Sequence, residues 1–396
     1  MTRRFMMKSK CILSLFYVLG VGILLFPHSA QALSSQEYMY NASNHLDSVN
    51  ESNGKHVKFI YDKNGNVVRR IADHNLLRNG DFEVVGDGEV ASGWKYWKSE
   101  GAVGTYLITQ SSISSGQYAQ KIDAQKIPSG AMNIYQDVQV TPNQTYSVSG
   151  RLLIERMKNA DFYVAIHYFD PNYNLVGAET PFTYGTPASW FTFTGELTPP
   201  KGAAIARIHF HLQESAENGY GTIYVDALKM IQGAATNLLY NSSFQEIKAK
   251  ESTSAGWSVW KSEGSEGNVS SVDVAPKQGQ SSQFIDARKM PGGGINFYQD
   301  IPIVPGVHYD LSADVKIEEL NHASLSFALH YFDQHYRLVG ADTPAHVNKP
   351  IDWTRLQGQF IPPPNATLVR IHFHLSETGT SGKGKVYIAN PKLKRV

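Results

Sequence analysis

The chain repeats itself once between residue 75 and its last residue, at a spacing of 163 residues. Three stretches show the repeat most clearly: Tyr-Gln-Asp at 135–137 and 298–300, His-Tyr-Phe-Asp at 167–170 and 330–333, and Arg-Ile-His-Phe-His-Leu at 207–212 and 370–375. Solenoids and propellers repeat every 20 to 50 residues or so. A period this long is the size of a complete domain. We therefore predict two copies of one fold.

The first 32 residues have the layout of a secretory signal peptide. Arg3, Arg4 and Lys8 give a basic start, residues 11–26 form a short apolar run, and residues 30–32 read Ala-Gln-Ala, a small-x-small cleavage site. The apolar run is shorter than the ~20 residues that span a bilayer, which argues against a retained anchor. We expect cleavage after residue 32 and a secreted protein, free or cell-wall associated, with no further membrane contact.

Charge and cysteine content exclude several function classes. Four of the 36 Lys and Arg residues and none of the 35 Asp and Glu residues lie in the leader, so the remainder carries a charge near −3. This balance does not favour a nucleic-acid partner. The only cysteine, Cys11, is in the leader, which excludes a catalytic thiol or a cysteine zinc site in the mature chain. We expect a monomer.

Residues 33–73 form a short polar segment, residues 74–232 a first module and residues 237–396 a second, joined by the small-residue linker 233–236. Within the modules, apolar residues alternate with polar or small ones, as in residues 207–212 and 324–331. A period of two is typical of strands with one face on a core. Turn signals rich in Pro, Asn and Gly separate the runs. We predict an all-β chain: two tandem jelly-roll β-sandwich modules after a short β-hairpin-like segment.

The order of motifs in each module resembles a known family. Asn-Leu-Leu-Arg-Asn-Gly-Asp-Phe-Glu opens the first module at 75–83, Ser-Gly-Trp follows at 92–94, and Ile-Tyr-Val-Asp comes at 223–226. This order is similar to that of the CenC-like carbohydrate-binding modules of families 4, 9 and 22, which are jelly rolls attached to secreted polysaccharide-degrading enzymes. The resemblance implies a glycan partner. It also implies that Trp94 and Trp257 close the core rather than bind ligand.

The segment before the modules has a resemblance of its own. Tyr-x-Tyr-Asn at 38–41 and Tyr-Asp-x-Asn-Gly-Asn at 61–66 resemble the YD repeats of bacterial Rhs and wall-associated proteins. Asn64-Gly65 is also a hairpin-turn signal. Two such repeats are too few to build the large shell of those proteins. We therefore expect a small hairpin spacer.

Polar residues on the outer face of the strands are the candidate binding site. Arg207, His209 and His211 share one strand face about 6.6 Å apart, while Ile208 and Phe210 face the core. A saccharide site needs hydrogen-bonding groups for hydroxyls and aromatic rings for C–H faces. The candidate saccharide-binding residues are Trp97, Tyr135, His167, Arg207, His209 and His211, with their counterparts Trp260, Tyr298, His330, Arg370, His372 and His374. A merely solvated strand face remains the alternative.

Two kinds of metal site are compatible with the sequence. His-x-His on a strand followed by Glu214 or Glu377 is similar to the cupins, where imidazoles and a carboxylate hold a metal, but here the glutamate follows too soon. The carbohydrate-binding resemblance instead implies a structural calcium ion bound by Glu83 and Asp226 in module one. Module two has Gln245 and Ala389 at those positions, so we expect no calcium there.

No motif for catalysis is evident: the chain lacks a Gly-x-Ser-x-Gly elbow, a P-loop and a His-Glu-x-x-His motif. We expect a non-catalytic protein that attaches to a polysaccharide or cell-wall glycan through both modules. The alternatives are a glycan-active hydrolase or its accessory subunit, and a surface structural or adhesion protein that binds protein.

Overall fold

The computed structural model describes residues 36–396 except 42, 52–53, 87, 248–251 and 277–280. The predicted signal peptide lies outside the described residues. The described part is all-β, as predicted, and contains no helix long and apolar enough to cross a membrane.

An N-terminal antiparallel sheet precedes the modules. Its four strands pair in chain order: β1 (Gln36–Tyr40), β2 (Leu46–Glu51), β3 (Lys55–Tyr61) and β4 (Val67–His74). The sheet is larger than the hairpin expected from the sequence. Lys58 on β3 forms an ion pair with Asp81 of module one, and Arg78 Nη1 lies 3.2 Å from Glu37 Oε2. These pairs fix the sheet against the opening segment of module one.

Module one is a sandwich of two five-stranded antiparallel sheets. Its strands are β5 (Lys95–Lys98), β6 (Val103–Thr109), β7 (Ala119–Ile127), β8 (Ala131–Gln139), β9 (Tyr146–Lys158), β10 (Ala160–Phe169), β11 (Leu175–Tyr184), β12 (Ala188–Leu197), β13 (Ile205–Glu214) and β14 (Gly219–Gln232). The order β11-β10-β13-β8-β5 forms one sheet, here named the front sheet, and β12-β9-β14-β7-β6 forms the back sheet.

Module two repeats this architecture strand for strand. Its strands are β15 (Ser258–Lys261), β16 (Glu266–Val272), β17 (Ser282–Met290), β18 (Gly294–Pro302), β19 (Tyr309–Asn321), β20 (Ala323–Phe332), β21 (Leu338–Val347), β22 (Ile351–Phe360), β23 (Leu368–Glu377) and β24 (Gly382–Arg395). The front sheet is β15-β18-β23-β20-β21 and the back sheet β16-β17-β24-β19-β22. Both modules have the predicted jelly-roll β-sandwich fold.

The alternating strand pattern fills the space between the two sheets of each module with aromatic side chains. In module one, Trp94 packs edge-on against Phe210 at 5.7 Å between ring centroids. In module two, Trp257 stacks on Phe297 at 4.6 Å. Both tryptophans are buried, so the prediction that they close the core is confirmed. The polar residues that alternate with this core are thereby held on the outside of the front sheet.

The two modules also share a buried polar contact. Arg151 of module one donates Nε to Ser114 Oγ at 3.0 Å and Nη1 to Thr192 Oγ1 at 2.8 Å. Its guanidinium carbon lies 6.0 Å from the ring centroid of Tyr240 in module two. Thr192 Oγ1 in turn donates to Gln299 Oε1 at 3.2 Å. Because these groups are buried, the contact orders the two modules as one body.

Candidate functional site

The outer side chains of each front sheet form three cross-strand rows. Side chains that are direct partners in an antiparallel pair point to the same face and lie close together. The tryptophan row is Trp97, Asn133, His211 and Tyr163 in module one and Trp260, Asn296, His374 and Ser326 in module two. The tyrosine row is Lys95, Tyr135, His209 and Ala165, or Ser258, Tyr298, His372 and Ala328. The arginine row is Asp137, Arg207 and His167, or Asp300, Arg370 and His330. The structure therefore brings together every residue predicted for the saccharide site.

The tryptophans at the edge of the rows are exposed. Trp97 is 53% exposed and Trp260 is 50% exposed, both on the short edge strands of the front sheets. A large exposed aromatic ring beside polar groups is a common feature of ligand sites, because its burial on binding is favourable. The ring faces suit the C–H face of a sugar.

The central histidines are desolvated by their neighbours. The His209 ring lies 5.4 Å from Tyr135, 4.7 Å from His167 and 4.8 Å from His211, between ring centroids. His209 is only 8% exposed, and its Nε2 has no hydrogen-bond partner. Buried polar atoms without a partner are costly, so this atom is suited to pair with an incoming group.

The same arrangement recurs in module two. His372 Nε2 lies 3.2 Å from His330 Nδ1, and His372 Nδ1 is buried without a partner. Burial lowers the pKa of His209 and of His372 to about 3, and burial lowers the pKa of His211 to about 4. Each ring is neutral at physiological pH and offers one donor and one acceptor, which matches a sugar hydroxyl.

The arginines are held in internal ion pairs. Arg207 donates Nε and Nη2 to Asp137 at 2.6 and 3.0 Å, and its guanidinium carbon lies 4.9 Å from the centre of the Tyr135 ring and 5.1 Å from that of Phe169. Arg370 makes the equivalent fork with Asp300. Such bidentate, stacked pairs fix side-chain geometry. The arginines therefore position the tyrosines, and the Nε and Nη2 groups of each arginine are already used as donors.

Among the row residues that sequence reasoning missed, four are aspartates and asparagines. Asp137 and Asp300 pair with the arginines, and Asn133 and Asn296 stand between tryptophan and histidine. Asn133 Oδ1 lies 3.4 Å from His209 Nδ1, whereas Asn296 Oδ1 is buried without a partner. The sequence could have identified these four residues. Each is two positions from Tyr135 or Tyr298, which places it on the same strand face.

The two carboxylates predicted to bind calcium both accept backbone N–H groups of one partly buried loop, residues 114–118. Glu83 Oε1 accepts the backbone N–H groups of Gln117 and Tyr118 at 2.7 and 3.0 Å. Asp226 Oδ2 accepts those of Ser114 and Ser115 at 2.9 and 2.8 Å. Burial raises the pKa of Glu83 to about 7 and raises the pKa of Asp226, and the two carboxylates repel each other. Oxygen ligands with incompletely balanced negative charge suit a calcium ion.

An imidazole metal site is not formed by these residues. In the part of the chain that the structure describes, no group of three or more His, Cys, Asp or Glu side chains is placed to hold a metal ion. The His167, His209 and His211 rings instead contact one another as a packed series. These histidines therefore do not form the set of metal ligands that the cupin-like interpretation requires.

Comparison with known families gives a match for each module. A family model described as a carbohydrate binding domain matches residues 74–218 and, a second time, residues 236–380. The two matches together cover more than half of the chain.

Among curated proteins, the chain is similar to part of a much longer protein. The tRNA(Glu)-specific nuclease WapA of Bacillus subtilis subsp. natto is 25% identical over 362 residues, which are 85% of this chain and 15% of that protein. The tRNA nuclease WapA of Bacillus subtilis strain 168 is 24% identical with the same coverage. The chain thus spans 15% of the length of these curated relatives.

Solved structures give similar matches at low identity. The N-terminal CBM22-1-CBM22-2 tandem domain from Paenibacillus barcinonensis Xyn10C is 14% identical, with 77% of this chain and 94% of that chain covered and a TM-score of 0.34. A family 4 module, described as CBM4 structure and function, is 19% identical, with 40% and 99% covered and a TM-score of 0.30.

Proposed function

Because the chain belongs to the carbohydrate binding domain family, as its sequence resemblance predicted, we propose that each front sheet binds a saccharide and that the protein attaches to a polysaccharide. One observation carries this proposal. In both modules an exposed tryptophan ends a row beside neutral, buried histidines that retain unpartnered nitrogen atoms. The ring covers a sugar C–H face while asparagine and histidine pair with its hydroxyls. A solvated strand face would not keep unpartnered polar atoms out of water.

The role is non-catalytic in this proposal. Glycoside hydrolysis usually needs two carboxyl groups about 5 to 9.5 Å apart across the scissile bond. The carboxylates of the arginine rows, Asp137 and Asp300, are held in ion pairs with Arg207 and Arg370. A glycan microarray probed with the full chain tests the proposal, with a reducing-sugar assay beside it. Binding without release of reducing ends supports it, and release of reducing ends favours the hydrolase.

The setting is proposed to be extracellular, on a wall glycan or an environmental polysaccharide. The signal-peptide pattern of residues 1–32 supports export, and mass spectrometry that finds these residues intact on the protein would contradict it. Two binding faces on one chain can raise the apparent affinity for a polymer by roughly 10² to 10⁴ when both reach the same molecule. The duplication therefore raises the apparent affinity most when the ligand is a polymer.

Saccharide affinity is expected to stay nearly constant between pH 8 and pH 5. An unperturbed histidine gains its charge near pH 6.5. Here burial lowers the pKa of His209 and His372 to about 3 and that of His211 to about 4, so these rings stay neutral throughout the range. Calorimetric titrations should give dissociation constants within about twofold of one another. A larger change centred near pH 6.5 would show that the rings titrate normally and that the proposed desolvated site is wrong.

Calcium is expected to stabilise module one alone. A ligand that binds only the folded state adds about 2.7 kcal/mol at a hundredfold excess over its dissociation constant. Thermal unfolding of the full chain in calcium and in chelator should differ, and Glu83→Gln should remove the difference. Gln245→Ala, at the equivalent position of module two, is the matched control and should keep it. An unchanged melting temperature with calcium in the wild type contradicts the site.

A further inference from the structure

Three differences between the modules lie in the tryptophan row or next to it. Tyr163 of module one is replaced by Ser326 in module two, and each is the direct cross-strand partner of the row's histidine, His211 or His374. Lys95 is replaced by Ser258 in the next row, and Ala131, at the start of β8, by Gly294. Each difference places a smaller side chain in module two.

Module two has a shallow cavity beside its tryptophan row, largely open to solvent. It measures about 490 Å³ and is lined by Trp260, His374, Glu377 and the glycines at 292–294, among others. This volume falls within the range of small-molecule sites. Glycine is needed at 294, because a Cβ there would lie 2.5 Å from His374 Nε2 and from the backbone oxygen of Leu375. The absence of a side chain at 294 therefore lets the His374 ring lie against the start of β18.

The rim of this cavity is fixed by a carboxylate. Glu377 accepts hydrogen bonds from the backbone N–H groups of Gly292 and Gly382, the latter at 2.9 Å. The loop that carries the three glycines is thereby tied to the end of β23. Glu377 is the one charged residue among those that line the cavity, and it is negative. The lining suits a neutral sugar and repels a uronic acid.

The equivalent histidine of module one is closed off. Both ring nitrogens of His211 are buried and have no hydrogen-bond partner, and Tyr163 stands beside the ring on β10. A saccharide on module one therefore meets the exposed face of Trp97 and the groups around it rather than a pocket that ends at the histidine.

At the arginine rows the difference is reversed, because module two is there the more covered copy. In module two, Tyr336 hydrogen-bonds Asp300 and Arg370, and Phe332 belongs to the hydrophobic cluster of module one. The side chain of Asp300 is only 4% exposed. In module one, Tyr173 at the equivalent place is 55% exposed. In module two the front sheet thus has a cavity beside its tryptophan row and a covered arginine row. In module one the arginine row is open.

We infer that the two modules bind different parts of a glycan, an inference that rests on the proposed function. Module two takes a single neutral sugar unit, the branch or end of a chain, in the cavity between Trp260 and His374. Module one takes the flat face of an unbranched chain across Trp97. The protein therefore selects neutral polysaccharides that present both features.

The test uses the full chain on a microarray of neutral oligosaccharides in unbranched and single-branched pairs, with uronic acid oligosaccharides included. Trp260→Ala and Ser326→Tyr should weaken binding to branched members by about tenfold or more and leave unbranched ones unchanged. Trp97→Ala should do the reverse, and Tyr163→Ser should raise the affinity of module one for branched members. Because Trp260 is exposed, its variant keeps the test decisive if Ser326→Tyr does not fold.

The outcomes separate this inference from the function beneath it. If the wild type binds no glycan at all, the proposed function is wrong and the inference fails with it. If the wild type binds but Trp97→Ala and Trp260→Ala weaken branched and unbranched ligands equally, the function stands and the division between modules is wrong. Binding of uronic acid oligosaccharides that is lost in Trp260→Ala would also overturn the division between the modules, because the one charged residue that lines the cavity is negative.

Discussion

Replacement of Arg151 with alanine is expected to lower the free energy of unfolding of the full chain by about 2 to 4 kcal/mol. Arg151 is 2% exposed and donates to Ser114 Oγ, Thr192 Oγ1 and the backbone oxygen of Trp190. Truncation strands these buried acceptors and removes the cation from the ring of Tyr240 in module two. Guanidinium denaturation should show this loss as a lower midpoint than that of the wild type.

The matched control for this prediction is Asp314→Ala. Asp314 occupies the equivalent position in module two, where it forms a partly exposed ion pair with Arg355, 3.1 Å from its Nη1. Loss of an exposed pair costs under about 1 kcal/mol. A denaturation midpoint of Arg151→Ala that equals the wild type would show that the buried contacts of Arg151 do not stabilise the protein.

Simultaneous replacement of Trp97 and Trp260 with alanine is expected to weaken polysaccharide binding by at least about thirtyfold. Tryptophans at the centre of a binding site typically contribute 2 kcal/mol or more to affinity, and about 1.4 kcal/mol is a factor of ten. Both rings are about half exposed, so their removal should leave the melting temperature within a few degrees of the wild type. Affinity electrophoresis in gels that contain a bound polysaccharide measures the loss.

Tyr38→Ala is the control for exposed aromatic area in general. Tyr38 is 53% exposed, as Trp97 is, but lies on the N-terminal sheet and not on a front sheet. The Tyr38→Ala variant should bind the polysaccharide with the affinity of the wild type. Equal losses from Tyr38→Ala and the double tryptophan variant would mean that the front sheets are not the binding surface.

The repeat and the alternation of residues were enough to predict the fold and one face of each site. A period of two places His209 and His211 opposite Phe210, and this depends on the strand alone. The partners of these residues lie on other strands. Asp137, which pairs with Arg207, is 70 positions away in sequence. Its role depends on the pairing register of β8 and β13, which the sequence alone does not specify.

Differences between the copies were the least predictable part. Tyr163 and Ser326 look like ordinary strand residues until the pairing places them beside His211 and His374. The contact of Arg151 with Tyr240 depends on how two folded modules meet, which no local pattern encodes. The N-terminal sheet was likewise underestimated as a hairpin, because two turn signals do not reveal that four strands pair.

The most direct test of the account is a crystal structure of the full chain with a saccharide that it binds. We predict sugar rings against the indole faces of Trp97 and Trp260, with hydroxyls within hydrogen-bond distance of Asn133 or Asn296 and, in module two, of His374. A saccharide found at the loops along the edge of the sandwich, with both front sheets empty, would contradict the central claim.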